Sequence, residues 1–362
     1  MYKRITGCFI LLLLIFSLSA CSPETPGKIS TEAVKSGSEL SPQPETDARR
    51  TETVVTKKTD SSSDILPSGP VYTDQPEITD GQSGAGISIY TDKNGDTAYI
   101  PDRFSVSEKE DEQTIKSGLV VIGPDGSEFV WVPTTVTPLS VREFGSYFSG
   151  GSISDYRDET ELESYKDMTA SVEKYGGFYI GRYEASFGGG SSLADYVPAS
   201  KRVTEDEPGR IWVQFSPQDT TVVCQNLYAD NDTVRGFFPW GINWDTTLQW
   251  LIDSGCKTAN DVKSDSTSWG NYSNDSFSEN SSGKYTGKWE EAKANNIYDL
   301  AGNNWEWTQE RCGSNYVMRG GGYNLMGGAC PGSRYPAALR DPLPGNNHHP
   351  NVTFRVALYI AE

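Results

Sequence analysis

In ISIYTDKNGDTAYIPDRF, apolar and polar positions alternate on both sides of Asn94-Gly95, the pattern of two strands joined by a tight turn. GLVVIGPDGSEFVWVP repeats it, with two apolar runs around Pro124-Asp125-Gly126. GGFYIGRYEAS, Gly176 to Ser186, predicts a further aromatic strand. The period then changes. SPQDTTVVCQNLYADN, from Ser216, has a capping serine and apolar Val222, Val223, Leu227 and Tyr228, which predicts a short helix. INWDTTLQWLIDSG predicts a second, with Asp245 as its cap, Leu248, Leu251 and Ile252 on one face, and Gly255 as its stop. From Cys256 onward only short strand-like pieces remain, such as NNWEWT and TFRVALYI, between Gly, Asn and Ser. Strands, then helices, then many loop-separated short strands predict a loop-rich α+β domain with two or more helices and no internal repeat.

Upstream of Gly86 this pattern is absent. Ser22 to Val71 contains no aromatic residue and no cysteine, so it cannot bury enough apolar surface to offset its chain entropy. Segment 22–85 is therefore expected to be a disordered Ser/Thr/Pro-rich tether, with a mean reach on the order of 40 Å. Before it, Lys3 and Arg4 precede an apolar run from Cys8 to Phe16, too short for a membrane span and ending in small residues. Leu18-Ser19-Ala20-Cys21 resembles the bacterial lipobox, in which the cysteine receives lipid and becomes the mature N-terminus. Residues 1–21 are thus expected to be a lipoprotein signal peptide. The protein would be exported and anchored through Cys21 to a bacterial membrane, at the cell surface or outer membrane. The folded part is expected to span 86–362.

Charge narrows the partners. The formal net charge of −18 becomes −20 once Lys3 and Arg4 leave with the signal, which disfavours nucleic acid. Four cysteines fall in the folded part: Cys224, Cys256, Cys312 and Cys330. In an exported domain an even count makes two disulfides the default, with three connectivities open and free buried thiols as the alternative.

EFVWVP (Glu128 to Pro133), GGFYIGRYEAS, WGINWDTTLQWL (Trp240 to Leu251), NNIYDLAGNNWEWTQE (Asn295 to Glu310), RGGGY (Arg319 to Tyr323) and TFRVAL (Thr353 to Leu358) occur in that order across nearly the whole domain. Together they resemble the formylglycine-generating enzyme (sulfatase-modifying factor) family, which has a loop-rich variant of the C-type lectin fold. YDLAGNNWEWT is the most specific block. There, Asp299 and Glu306 bracket a glycine turn, and hard oxygen ligands of that kind suit calcium. Carried over residue by residue, the resemblance implies a structural calcium held by the side chains of Asp299 and Glu306 with backbone oxygens of Gly302 and Asn304. The alternative is that these carboxylates only accept local backbone hydrogen bonds.

The family's enzymes oxidise a sulfatase cysteine to formylglycine with a spaced pair of thiols that holds copper, since Cu(I) needs soft ligands. Aligned on RGGGY, the second thiol falls on Cys330 and the first on Leu325, which ligates no metal. The iron-dependent branch of the family uses several histidines, whereas this chain has two, His348 and His349. A third branch consists of non-catalytic display proteins, some of them surface lipoproteins diversified by retroelements. Residues Arg319 to Arg355 include no Lys, Glu, Gln or Trp, and most variable-looking positions there are reachable by changing the adenines of an asparagine codon. A Gly/Pro-rich loop set can reach the same composition without diversification.

The resulting expectation is a lipid-anchored surface protein that binds an extracellular protein or glycan through its C-terminal loops. Its contact residues would be Tyr323, Asn324, Leu325, Met326, Ser333, Tyr335, Asn346, Asn347, His348 and His349. The rivals are a copper-dependent formylglycine-generating oxidoreductase with Cys330 as its surviving thiol, and an accessory structural lipoprotein.

Overall fold

The computed structural model describes residues 77–79, 86–142, 144, 151–273, 283–324 and 335–361. All lie in the compact unit Pro70–Glu362. Cys21, Leu325, Met326, Cys330 and Ser333 fall outside the described residues, as does all of the expected tether except one strand.

That strand is β1 (Glu77–Thr79), which pairs antiparallel with β2 (Ser88–Thr91), and β2 pairs in turn with β3 (Thr97–Ile100). Pairing therefore reaches into the segment expected to be tether. The core of the fold is a six-stranded sheet in the order β11-β18-β8-β6-β5-β4. Its strands are β4 (Ser105–Val106), β5 (Val120–Ile122), β6 (Glu128–Pro133), β8 (Gly177–Gly181), β11 (Val234–Phe237) and β18 (Ala357–Ile360). A second sheet runs β16-β15-β14-β17, from β14 (Trp305–Cys312), β15 (Asn315–Arg319), β16 (Asp341–Leu343) and β17 (Val352–Thr353), with β7 (Tyr156–Arg157) paired to the end of β14. Two hairpins complete the strands: β9 (Ser186–Gly189) with β10 (Val197–Ala199), and β12 (Lys293–Ala294) with β13 (Ile297–Tyr298).

Period two divides the six-stranded sheet between two cores. Phe129 and Trp131 of β6 and Tyr179 of β8 face one, with Val223 and Leu227 beyond them. Val130, Val132, Phe178 and Ile180 face the other, with Met168, Val172, Leu248 and Leu251. Both faces are buried from Phe129 to Pro133, which is why FVWVP is a continuous apolar run.

Four α-helices occur among the described residues. α1 (Glu163–Tyr175) was not legible in the pattern: its buried stripe is Met168, Ser171, Val172 and Tyr175, at helical spacing but with two aliphatic members only. α2 (Pro217–Asn226) starts at the predicted Ser216 cap, whose side chain accepts from the Asp219 N–H. α3 (Gly241–Asp253) begins before the predicted cap, so Asp245 is an interior residue, fully buried. The N–H groups of Gly241 and Ile242 instead donate to the Asp158 carboxylate at 2.9 Å each. A cap this distant in sequence has no local signature. Gly255 stops α3 as expected, in the left-handed region at φ 81°. The short α4 (Ala259–Lys263) follows.

The two-disulfide expectation is overturned. Cys224, Cys256 and Cys312 are free thiols, and two disulfides among four cysteines would have to join two of these three. Cys224 sits fully buried in a core cluster, packed as a small apolar side chain. Burial pushes its thiol well above the usual range, and burial together with Asp155 raises that of Cys312.

A candidate ligand cleft and the buried charges behind it

β14 organises the region. Its tryptophans, Trp305 and Trp307, enter the apolar core, while Glu306, Thr308 and Glu310 on the alternate positions are also fully buried. Each carboxylate therefore requires a buried partner. Glu310 finds Arg319 Nη1 at 3.0 Å and Arg340 Nε at 2.7 Å. Asp245 of α3 completes a ring, taking Arg319 Nη2 at 2.7 Å and bonding Arg340 as well. Two carboxylates and two guanidiniums thus close on one another out of reach of solvent.

Glu306 pairs with Arg355, whose Nη2 and Nε lie 2.7 and 3.1 Å from its two oxygens. Arg355 also donates to the carbonyls of Gly181 and Tyr298. Nearby, Asp299 accepts from the Thr286 hydroxyl and the Gly287 N–H through Oδ2, and its Oδ1 has no hydrogen-bond partner among the described residues. Glu184, fully buried, accepts from the Asn303 amide (2.7 Å), the Asn304 amide (3.0 Å) and the Asn304 N–H (2.9 Å). Burial, reinforced by Glu306 and Asp299, holds the Glu184 carboxyl well above the usual carboxylate range. Burial raises Glu306 as well and pushes Asp299 to about 6.

The turn between Asp299 and Glu306 is as tight as the sequence suggested. Gly302 has φ 71°, and a Cβ there would lie 2.3 Å from the Asn271 carbonyl oxygen. Of the two side chains expected to ligate calcium, Glu306 has both oxygens closed by Arg355, and Asp299 presents an open one. Among the described residues no group of three or more His, Cys, Asp or Glu is arranged to hold a metal ion.

Asn304 links this cluster to the surface. Its side chain lines a cleft of about 410 Å3 bounded by Gly209, Arg210, Ile211 and Val213 on one side, Gly283 and Lys284 on another, and Tyr323, Pro350 and Asn351 on a third. Hydrogen bonds fix the third wall. Positive φ at Gly320 and Gly321 turns the chain out of β15 and brings the Tyr323 N–H 2.6 Å from the Asn303 carbonyl. The Tyr323 hydroxyl reaches Asn351 Oδ1 at 3.4 Å, and the Asn351 N–H donates to His349 Nδ1 at 3.2 Å. The Gln214 N–H and carbonyl hold His349 O and His348 Nδ1 respectively, which pins the 344–351 loop beside the 209–215 segment.

Of the expected contact set, Tyr323 alone lines the cleft among the described residues, and His348 and His349 hydrogen-bond the neighbouring Gln214 and Asn351. Asn324, Asn346 and His348 are exposed on the same loops, and Asn347 is half-buried. Tyr335 stands edge-on to Trp305 with ring centroids 5.9 Å apart, so packing restricts its ring. Arg210, Ile211, Val213, Lys284 and Asn351 line the cleft but were not in that set. The first four lie far from the C-terminal loops in sequence, and only the fold brings them there.

No protein-family model and no curated protein matches the chain. Two solved structures resemble it distantly. One, described as the crystal structure of CarF, is 16% identical with a TM-score of 0.33, covering 51% of this chain and 87% of its own. The other, Treponema denticola variable protein 1, is 13% identical with a TM-score of 0.26, covering 80% of this chain and 99% of its own.

Proposed function

We propose that the chain is an exported, lipid-anchored protein that binds an extracellular ligand at its loop-built face. The supporting observation is the cleft: residues from well-separated segments meet there, held by backbone and amide hydrogen bonds to a scaffold with two apolar cores. Contact residues on loops fixed by a rigid frame are the usual arrangement for recognition. Binding is favoured over oxidation because the family's copper chemistry needs two thiols, and Leu325 stands where the first would be, leaving Cys330 alone.

The test is a combined Tyr323→Ala, Asn346→Ala, Asn347→Ala and His348→Ala variant of the full-length chain, compared with wild type on arrays of glycans and extracellular proteins and by thermal melting. Binding should be lost with the melting temperature nearly unchanged. A collapse of the melt would make these residues scaffold instead.

A further inference from the structure

The cleft has a charge opposite to that of the chain. Two cations line it, Arg210 and Lys284, and no carboxylate does among the described residues, although the protein carries a net −18. Of the neighbouring loop's carboxylates, Glu207 lies 3.2 Å from Arg202, while Glu205 lies 2.5 Å from Lys288 and, after the Tyr285 hydroxyl, also raises the pKa of the Lys284 ammonium. The Arg210 side chain is exposed and enters no ion pair among the described residues. The Lys284 ammonium sits 4.8 Å from the Tyr285 ring centroid.

The remaining polar groups are the side-chain amides of Asn304 and Asn351 and the Tyr323 phenol. The Asn304 NH2 donates to Glu184 and Gly283, so its Oδ1 is left to accept from a hydroxyl, the Asn351 NH2 can donate to one, and a phenol ring offers a flat face beside them. An arginine fork matches a carboxylate in two parallel bonds. The lining residues belong to no strand of a sheet, and Ile211 makes only an isolated antiparallel bridge to Ser186, so the backbone edge beside the cleft is too short for an extended peptide to pair along. Its volume falls in the range of small-molecule sites.

Resting on the ligand-binding reading above, we propose that the cleft takes a carboxylate-bearing sugar, a uronic acid unit of a glycan. Arg210 and Lys284 hold its carboxylate, and Asn304, Asn351 and Tyr323 face the hydroxyl-bearing ring.

The test is calorimetric titration of the full-length chain with a galacturonate trisaccharide, the matching neutral trisaccharide and a glutamate-rich peptide, repeated with Arg210→Gln. Lys201→Gln, whose cation pairs near Asp125 outside the cleft, is the control. The uronate should bind and the neutral sugar should not. Arg210→Gln should weaken binding roughly tenfold with an unchanged melt, added salt should weaken it further, and Lys201→Gln should match wild type. Equal binding of the charged and neutral sugars would overturn the anion preference while leaving a binding face. Capture of the peptide in place of the uronate would overturn the sugar assignment. Failure of all three probes, with the array ligands still lost in the four-alanine variant, would overturn this inference and not the surface reading.

Discussion

Two buried charge clusters sit on one strand, and they are balanced differently. Around Glu310 two carboxylates meet two guanidiniums in a closed ring. Around Glu306 three carboxylates, with Glu184 and Asp299, have one guanidinium beside them: Arg355 bonds Glu306, while Glu184 and Asp299 accept from asparagine amides, a threonine hydroxyl and backbone N–H groups and are raised above the usual carboxylate range. Ionised groups are tolerated in a dry interior only when neutralised. The ring is therefore rigid framework. The second cluster keeps one buried carboxylate oxygen, Asp299 Oδ1, without a hydrogen-bond partner among the described residues, and through Glu184 it holds the Asn304 that lines the cleft.

The contrast breaks most severely at the ring. Arg319→Met leaves Asp245 and Glu310 sharing Arg340 alone, a charge buried without compensation, and should cost about 3–5 kcal/mol in denaturant unfolding. A cost near zero would mean that water reaches the ring.

A pH titration gives the next effect. Asp158, capping α3, is pushed to about 7 by burial and by Glu310. Its folded pKa lies above the ordinary value of 3.8, so between about pH 4 and 7 the folded state keeps a proton that the unfolded chain has released. Its contribution therefore makes stability fall as pH rises through that window, by at most about 1.4 kcal/mol per pH unit for one proton. Asp158→Asn keeps an acceptor for the helix N-terminus and should flatten this slope, measured as melting temperature against pH. An unchanged slope would place the titration elsewhere.

How far the sequence showed these features depended on how local they were. The Asn94-Gly95 hairpin, the Ser216 cap and the Gly255 stop are set within a few residues, and their positions were readable. Asp245 has the chemistry of a cap and sits near a helix start, but its partners Arg319 and Arg340 are remote, so it read as local when it is tertiary. WEWTQE has an alternating pattern, yet nothing in it says that the carboxylate face is buried as deeply as the tryptophan face. The cleft was half legible: its C-terminal wall follows from loop composition and resemblance, whereas Arg210 and Lys284 became visible only when the fold placed them opposite Tyr323.

The smallest expected effect is the most discriminating. Asp299 has φ 59°, a conformation that asparagine adopts readily. In Asp299→Asn the new amide can keep its carbonyl oxygen toward Thr286 and Gly287 while setting its NH2 at the unpartnered corner. The substitution should therefore change stability by less than about 1 kcal/mol, in contrast to the loss at Arg319. Calcium sharpens the result. With both oxygens of Glu306 held by Arg355, the wild-type melt should be the same in chelator and in micromolar calcium. A calcium-dependent rise present in wild type and absent in Asp299→Asn would show that the cation displaces Arg355 from Glu306. The second cluster would then differ from the ring in holding an exchangeable counter-charge where the ring holds a fixed one.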